Sequence, residues 1–367
     1  MKSRKIVFAG GGTAGHIQPA LAVARMWRQT HPQDQIVFLG TSSGLETRLV
    51  PEAGFDLQLI TRVRVPRSLS LGLLKVPNSL RRAMSESKSI LKGADLLIGF
   101  GGYVCAPAYL AAGSLKVPIV IHEANAKPGW ANRIGARYTD ALAVGIPVTS
   151  GPFAKALITG LPLRNDIASL LATNRAATQR TWSEFRDQAK KDLGIEAKQK
   201  VILVLGGSQG STAINNVIEN FRKLIKDRNI SVVHSVGASN SLPNGDDHYK
   251  VFSYIENMAS TYLASDLIIA RSGAITCSEV RALGKYALFI PLPIGNGEQS
   301  VNADLLVEMG RARVLDQKLF TPSWLIDNMD SMLAMSDELS DLPDFADLEA
   351  AAKIFALAEH KLSGDER

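Results

Sequence analysis

The sequence predicts an α/β protein built from two doubly wound lobes with parallel sheets. Three observations carry that reading. Continuous apolar strand runs alternate with helical patterns, the two halves repeat one another in order, and glycine-rich loops stand where strands hand over to helices. At 367 residues the chain has room for about two domains of ordinary size. Hydrophobic residues make up 46% and charged residues 21%, which is globular usage and excludes a disordered chain.

In the first half the strand runs are Lys5–Gly10, Ile36–Gly40, Leu57–Ile60, Asp95–Gly99, Ile119–His122 and Ala141–Val144. In the second they are Val201–Leu205, Ser231–Val236, Val251–Tyr254, Asp266–Ala270 and Ala287–Pro291. Runs apolar on both sides of the pleat suit sheets covered on both faces by helices, hence parallel strands. Helical patterns cover Pro19–Trp27 and Arg175–Asp192. A last one, Asp347–Leu362, reads as amphipathic, with Leu348, Ala352, Phe355 and Ala356 on one face. Leu96–Leu115 carries no charge for 20 residues, a length that could span a bilayer. Its breakers Gly99, Gly101, Gly102, Pro107 and Gly113 make it a strand, a turn and a helix start instead.

The repeat is specific in order. Lys5–His16 resembles Lys200–Ser211, Ala94–Gly102 resembles Ser265–Gly273, and Val117–Glu123 has its counterpart in Tyr286–Leu292. The boundary falls near Gly160–Arg164, giving lobes 1–163 and 164–346. Ligands of doubly wound sheets bind at the carboxyl ends of the strands, and two such lobes facing each other would form a cleft.

Residues 1–163 hold 19 Lys+Arg and 8 Asp+Glu, a net of +11, whereas residues 164–367 hold 22 and 27, a net of −5. Only the first lobe is therefore expected to meet an anionic partner, which leaves nucleic acid, anionic lipid and phosphorylated substrate open. Cys105 and Cys277 are too few and too far apart for a disulfide scaffold and suit a reducing cytoplasm. The opening run, Met1–Gly10, leads straight into glycines and gives no signal peptide.

Three glycine loops end strands: Gly11–His16, Gly99–Tyr103 and Gly206–Ser211. Each can offer backbone N–H groups and a helix N-terminus to an oxyanion. The first lacks the GK[ST] ending of a Walker loop, and no acid follows the second strand at Thr41–Ser43, which argues against a dinucleotide. His16 falls in the first turn of a helix, where a neutral imidazole is favoured and can accept a proton. Asn125 has a carboxamide suited to sugar hydroxyls. In the second lobe Ser272, Gly273 and Ala274 can serve a phosphate, Glu279 a ribose, and Glu298, Gln299 and Asn302 a sugar. His31, His234 and His248 have no such setting. No D-x-D pair and no His/Cys cluster with metal spacing is present, so neither metal nor cofactor is expected.

Taken together, GGTAGHIQPALAVA, GFGGYVCAPAYLAA, HEANAKPGWANR, GLPLR, LGGSQGSTAINN, RSGAITCSEVRALGKYALFIPLP and GEQSVNA resemble the MurG family of bacterial glycosyltransferases, in family order from Gly11 to Ala303. The resemblance implies a GT-B fold, with a last helix, about 347–367, returning to the first lobe. It implies inverting transfer of N-acetylglucosamine from UDP-N-acetylglucosamine to the muramoyl C4 hydroxyl of lipid I, forming lipid II for peptidoglycan synthesis and so serving cell shape and division. Donor contacts are implied for Thr13, Ala14, Gly15, Asn125, Arg164, Ser208, Ile255, Ala274, Ile275, Thr276, Cys277, Ser278, Glu279, Glu298, Gln299 and Asn302. The acceptor pyrophosphate is expected on Gly11, Gly12, Gly101, Gly102 and Tyr103. His16 is the expected base, with Glu298 as substitute. The family usually has glycine where Ala14 stands and glutamine where Glu298 stands.

The basic first lobe suits an anionic membrane surface, on the cytoplasmic side and without a spanning helix, and no nucleic acid partner is expected. Arg62–Arg82, which interleaves bases with Leu69, Leu71, Leu73, Leu74, Val76 and Leu80, suits a segment lying on that surface. The alternatives are a UDP-N-acetylglucosamine 2-epimerase-like enzyme on the same fold and a non-enzymatic nucleotide-binding partner of a membrane complex.

Overall fold

The structure, a computed structural model, describes residues 3–63, 76–293, 297–339 and 343–364. The chain divides into two compact units, one of Met1–Arg164 with Glu349–Arg367 and one of Asn165–Leu348.

The first unit holds β1 (Lys5–Ala9), α1 (Ala14–Thr30), β2 (Gln35–Gly40), α2 (Glu46–Glu52), β3 (Asp56–Leu59), α3 (Val76–Leu91), β4 (Leu96–Gly99), α4 (Cys105–Leu115), β5 (Ile119–Glu123), α5 (Trp130–Gly135), β6 (Leu142–Val144) and β7 (Leu157–Ile158). Its parallel sheet runs β3-β2-β1-β4-β5-β6-β7. Ile6 pairs with Ile36 on one side and Leu96 on the other. The winding direction therefore reverses between β1 and β4, and their carboxyl ends form the switch point. Alternation along β1 sends Ile6 and Phe8 to one face, with Ile17, Leu21, Trp27 and Phe38, and Val7 and Ala9 to the other, with Leu39, Leu97, Tyr109 and Ile121. Replacing one such fully buried ring, Phe8 against Phe38 at 5.2 Å, with alanine would cost about 3–5 kcal/mol.

The last helix, α14 (Ala350–Gly364), packs on α1 of this unit. Its inward residues are Ala350, Ile354 and Ala358, with Phe355 meeting Trp27 edge-on at 5.1 Å. The apolar face read from sequence is corrected in phase, because Ala356 points to solvent and Ile354 inward. Arg4 ties the helix down by pairing with Glu359 at 3.2 Å while also binding Asp34 at 2.8 Å.

The second unit holds α6 (Asn165–Thr173), α7 (Gln179–Asp192), β8 (Lys200–Leu205), α8 (Thr212–Leu224), β9 (Ile230–Ser235), β10 (Tyr249–Phe252), α9 (Met258–Ala264), β11 (Leu267–Ala270), α10 (Ala274–Ala282), β12 (Ala287–Phe289), α11 (Glu298–Asn302), α12 (Asp304–Glu308), β13 (Ala312–Val314) and α13 (Pro322–Glu338). The sheet order β10-β9-β8-β11-β12-β13 is again parallel, with its switch point between β8 and β11. Ile202 and Val204 pack with Ile214, Ile218 and Phe221 of α8 and Met329 and Met332 of α13. Behind β8, Lys190 and Asp266 form a buried ion pair at 2.8 Å. Asp266 also accepts the Val201 N–H, and Lys190 also donates to the Gln199 carbonyl.

Two edge strands, β7 and β13, were not expected from sequence; with two and three residues they are too short to show a period. Helix α1 starts at Ala14, so Pro19, the expected start of the helical pattern, lies inside the helix and forfeits one backbone hydrogen bond there.

Candidate active site

Both glycine loops of the first unit lie at its switch point, and they interlock. Gly12, Gly101 and Gly102 have φ of 89°, 93° and 90°, a region open to glycine. A Cβ on Gly102 would lie 2.3 Å from the Gly11 carbonyl oxygen, and one on Gly12 would lie 3.2 Å from the Tyr103 ring. His16 stands in the first turn of α1 against this junction, half-buried, and a Cβ on Gly101 would come within 3.2 Å of its Nε2.

The contacts of His16 favour one tautomer. Its Nδ1 lies 3.1 Å from the Gly11 carbonyl, which can only accept, so this contact is a hydrogen bond when Nδ1 carries the proton, and Nε2 is then left as an acceptor. Thr13, the residue before α1, places its hydroxyl 3.2 Å from the same Nδ1. Burial lowers the imidazole pKa below its ordinary 6.5, while Glu123, the Gly11 carbonyl and Glu46 pull it part of the way back. The arrangement presents a neutral base beside two helix N-termini, where an anion is also favoured.

A buried polar network underlies the base. Glu123, at the end of β5, accepts from the Asn125 N–H and carboxamide at 2.9 and 3.0 Å, the Gly129 N–H at 2.9 Å and Asn132 at 3.0 Å. Asn132 in turn accepts from the Tyr109 hydroxyl at 2.8 Å. The Cys105 thiol donates to the carbonyls of Ala9 and Gly101, and burial pushes its pKa up to about 12, so it is an inert thiol. Burial holds His122 at a pKa of about 4, and its ring donates to the Gly160 carbonyl. The Arg62 guanidinium lies 4.8 Å from the centre of the exposed Tyr103 ring.

In the second unit the corresponding loops are joined by Arg271. Its guanidinium donates to the carbonyls of Ile290 and Pro291, to the Ser211 hydroxyl at 2.8 Å and to Gln317 at 2.6 Å. Ser211 also caps α8 through the Ile214 N–H. Beside Gly207 and Gly273 an added Cβ would meet nothing within 4 Å, so the Gly207 turn and the start of α10 are open to approach, whereas Gly210, next to the start of α8, is packed against the Val236 carbonyl. The start of α10 is suited to phosphate oxygens.

The remaining sequence-selected residues fall as follows. Ala14 and Gly15 open α1, and Arg164 is the half-buried last residue of its segment in the first unit. Ser208 is half-buried in the loop before α8, and Ile255 is buried ahead of α9. Ala274, Ile275 and Thr276 make the first turn of α10. Cys277, Ser278 and Glu279 are buried: Ser278 donates to Asp347 at 2.5 Å, and the Glu279 carboxylate accepts the Tyr262 hydroxyl at 3.0 Å through Oε2. Glu298 is half-buried at the start of α11. Gln299 and Asn302 brace backbone instead of standing clear, Gln299 accepting the Leu292 N–H and Asn302 donating to the Ser272 carbonyl. The Gly12 N–H donates to Glu46 at 2.9 Å, so an external anion does not find it open.

Of the Arg62–Arg82 segment, Leu69, Leu71, Leu73 and Leu74 lie outside the described residues. Val76 and Leu80 pack against the core of the first unit, which corrects their expected place on a membrane-facing surface. The exposed side of α3 carries Arg81, Arg82 and Lys88, with Arg82 paired to Glu86 at 3.0 Å. Among the described residues no helix is long and apolar enough to cross a membrane. Sequence reasoning assigned no role to Glu46, Glu123, Asn132 or Arg271. Glu123, Asn132 and Arg271 stood within selected motifs, whereas Glu46 carried no local signal.

Residues 6–144 match the N-terminal domain of glycosyltransferase family 28, and residues 201–357 match its C-terminal domain. A protein of Streptomyces coelicolor is 43% identical over 344 residues, 92% of this chain and 91% of its own. One of Mycobacterium sp. is 44% identical over 344 residues, 92% of this chain and 89% of its own. Both are named as UDP-N-acetylglucosamine–N-acetylmuramyl-(pentapeptide) pyrophosphoryl-undecaprenol N-acetylglucosamine transferases. Among solved structures, Acinetobacter baumannii MurG superposes with a TM-score of 0.68 at 26% identity, covering 98% of this chain and all 100% of that one. A UDP-N-acetylglucosamine 2-epimerase superposes at 0.58 with 13% identity over 100% of this chain and 98% of that one, a likeness of fold alone.

Proposed function

The chain belongs to glycosyltransferase family 28, and from that premise we infer that it transfers N-acetylglucosamine from UDP-N-acetylglucosamine to lipid I, forming lipid II. The observation that carries this reading is the likeness to transferases of that one activity along nine-tenths of the chain. The epimerase alternative has only a shared fold behind it.

In the reaction the C4 hydroxyl of the muramoyl sugar attacks the anomeric carbon. The C1–O4 bond forms, the C1–phosphate oxygen bond breaks with inversion, and UDP departs with the electron pair. His16 is our candidate for the base, taking the hydroxyl proton on Nε2; its Nδ1 bond to Gly11 supports that role. Glu298 is the substitute base. The open Gly207 turn, the start of α10 and the guanidinium of Arg164 are our candidates for stabilising the charge of the leaving UDP. Glu279 is assigned to the ribose, and Asn125 with the first turn of α11 to the sugar. The acceptor pyrophosphate is assigned to the Gly101–Tyr103 loop and the start of α4, with Gly11 shaping its edge.

The acceptor is a lipid, so the enzyme works against the membrane surface from the cytoplasmic side. The net +11 of residues 1–163 and the basic outer side of α3 support docking through the first unit. Incubation with UDP-N-acetylglucosamine, with and without a lipid I analogue, tests the activity. UDP release only with the acceptor is expected; conversion of the sugar nucleotide without acceptor would defeat the reading.

A further inference from the structure

Glu46 is a buried carboxylate that the reaction described above does not use. It is fully shielded from solvent at the start of α2, yet among the described residues no lysine or arginine pairs with it. Instead both oxygens accept. Oε2 takes the Gly12 N–H at 2.9 Å, across 34 residues of chain, and Oε1 takes the Thr41 N–H and hydroxyl, each at 3.0 Å. The surrounding backbone leaves space for it and for nothing larger. A Cβ on Gly44 would lie 1.8 Å from Oε2, one on Gly40 would lie 2.6 Å from Cγ, and one on Gly11 would lie 3.0 Å from Oε1.

We propose that Glu46 is the resident anion of the first glycine loop and the positioning residue for His16. By fixing the Gly12 N–H, it sets the orientation of the Gly11–Gly12 peptide unit, whose other end is the Gly11 carbonyl that holds the His16 Nδ1 proton. The peptide is planar, so a donor fixed on one side fixes the acceptor on the other. Glu46 thus selects the Nδ1–H tautomer and leaves Nε2 as the acceptor. The same carboxylate fills the anion place of this loop, and the acceptor pyrophosphate is thereby left to the Gly101–Tyr103 side. The inference deepens the role given to His16 and rests on it only for its effect on rate.

The test is Glu46→Gln. One amide oxygen cannot accept from both the Gly12 and Thr41 N–H groups, and the new NH₂ faces a donor. Imidazole 15N shifts, with His16 assigned by comparison with His16→Gln, report the tautomer directly. The wild type should show the Nδ1–H form and Glu46→Gln a mixture of forms. kcat should fall roughly 10- to 100-fold, as for a displaced catalytic group, with the KM for UDP-N-acetylglucosamine unchanged. Glu46→Asp, one methylene short of Gly12, should not restore the tautomer. A folded Glu46→Gln protein with an unchanged Nδ1–H signature would overturn the proposal, whatever its rate. A changed tautomer with wild-type kcat would leave Glu46 as the tautomer-setting group and remove His16 as the base.

Discussion

Replacing His16 with alanine separates a catalytic imidazole from a structural one, because the two roles differ by several kcal/mol. As a structural element the ring contributes its Nδ1 contact with the Gly11 carbonyl at 3.1 Å, shared with the Thr13 hydroxyl at 3.2 Å. Its loss should cost about 0.5–1.5 kcal/mol, and at this domain size about 1 kcal/mol shifts Tm by roughly 2–4 °C. As the general base it should contribute on the order of 10²- to 10⁴-fold to kcat, equivalent to about 2.7–5.4 kcal/mol of barrier at roughly 1.36 kcal/mol per decade. The assay is steady-state UDP release with a lipid I analogue, beside a melting curve and UDP binding. We expect a large fall in kcat, a Tm loss of a few degrees and unchanged UDP affinity. A pH series adds a second reading. Burial lowers the His16 pKa below 6.5, and only the neutral ring can accept a proton. The acid limb of kcat/KM should therefore lie below pH 6.5 and be absent from the variant's residual activity. Near-normal kcat in a folded His16→Ala protein would refute the reasoning and move the search for the base to Glu298.

Three further outcomes are expected. Glu279→Ala should raise the donor KM roughly 10- to 100-fold, given about 1.5–3 kcal/mol for a hydrogen bond to a charged group. It should also lower stability by leaving the buried Tyr262 hydroxyl without its 3.0 Å partner; an unchanged KM in folded protein would remove the ribose assignment. Stability should fall on acidification from pH 6.5 to 4, because His122 and His234 have folded pKa values of about 4 against about 6.5 unfolded. The unfolded chain binds the extra protons over that window, so each contributes a loss of about 3 kcal/mol by pH 4. Chemical denaturation of His234→Gln across the same range should show a shallower decline, and a slope equal to the wild type's would count against the assignment. Binding to anionic vesicles should weaken with salt and on reversing Arg81 and Lys88 to glutamate; equal binding to neutral vesicles would defeat the electrostatic part of the claim.

Much of the fold is legible in the sequence because it rests on short-range periodicity. Apolar runs such as Val201–Leu205 fill both sides of the pleat, and their recurrence with glycine loops implies parallel sheets with crossovers. The edge strands β7 and β13 escape because two or three residues hold no period. The phase of α14 is ambiguous in the sequence because alanines stand at many positions, and only packing against α1, β4 and β5 selects Ile354.

The candidate site divides the same way. The loops around His16 and Glu279 could be picked out by residue type and place, since glycine at a strand end and an acid after a helix start are local features. The direction of each side chain is not local. Gln299 turns to the Leu292 N–H and Asn302 to the Ser272 carbonyl, and Val76 and Leu80 turn to the core.

The sequence by itself determined the two parallel α/β lobes, the strand-end loops and the family, because each depends on patterns within a few residues or on their order along the chain. Only the tertiary structure decided which polar groups are already satisfied. An acid directly after β2 is absent, yet Glu46, a few residues further on, reaches back across 34 residues to Gly12. Arg271 likewise joins Ser211, Ile290 and Gln317 from separate turns. A buried donor or acceptor costs free energy until it is paired, and the partner that pairs it is set by the approach of distant chain segments, which no local pattern encodes.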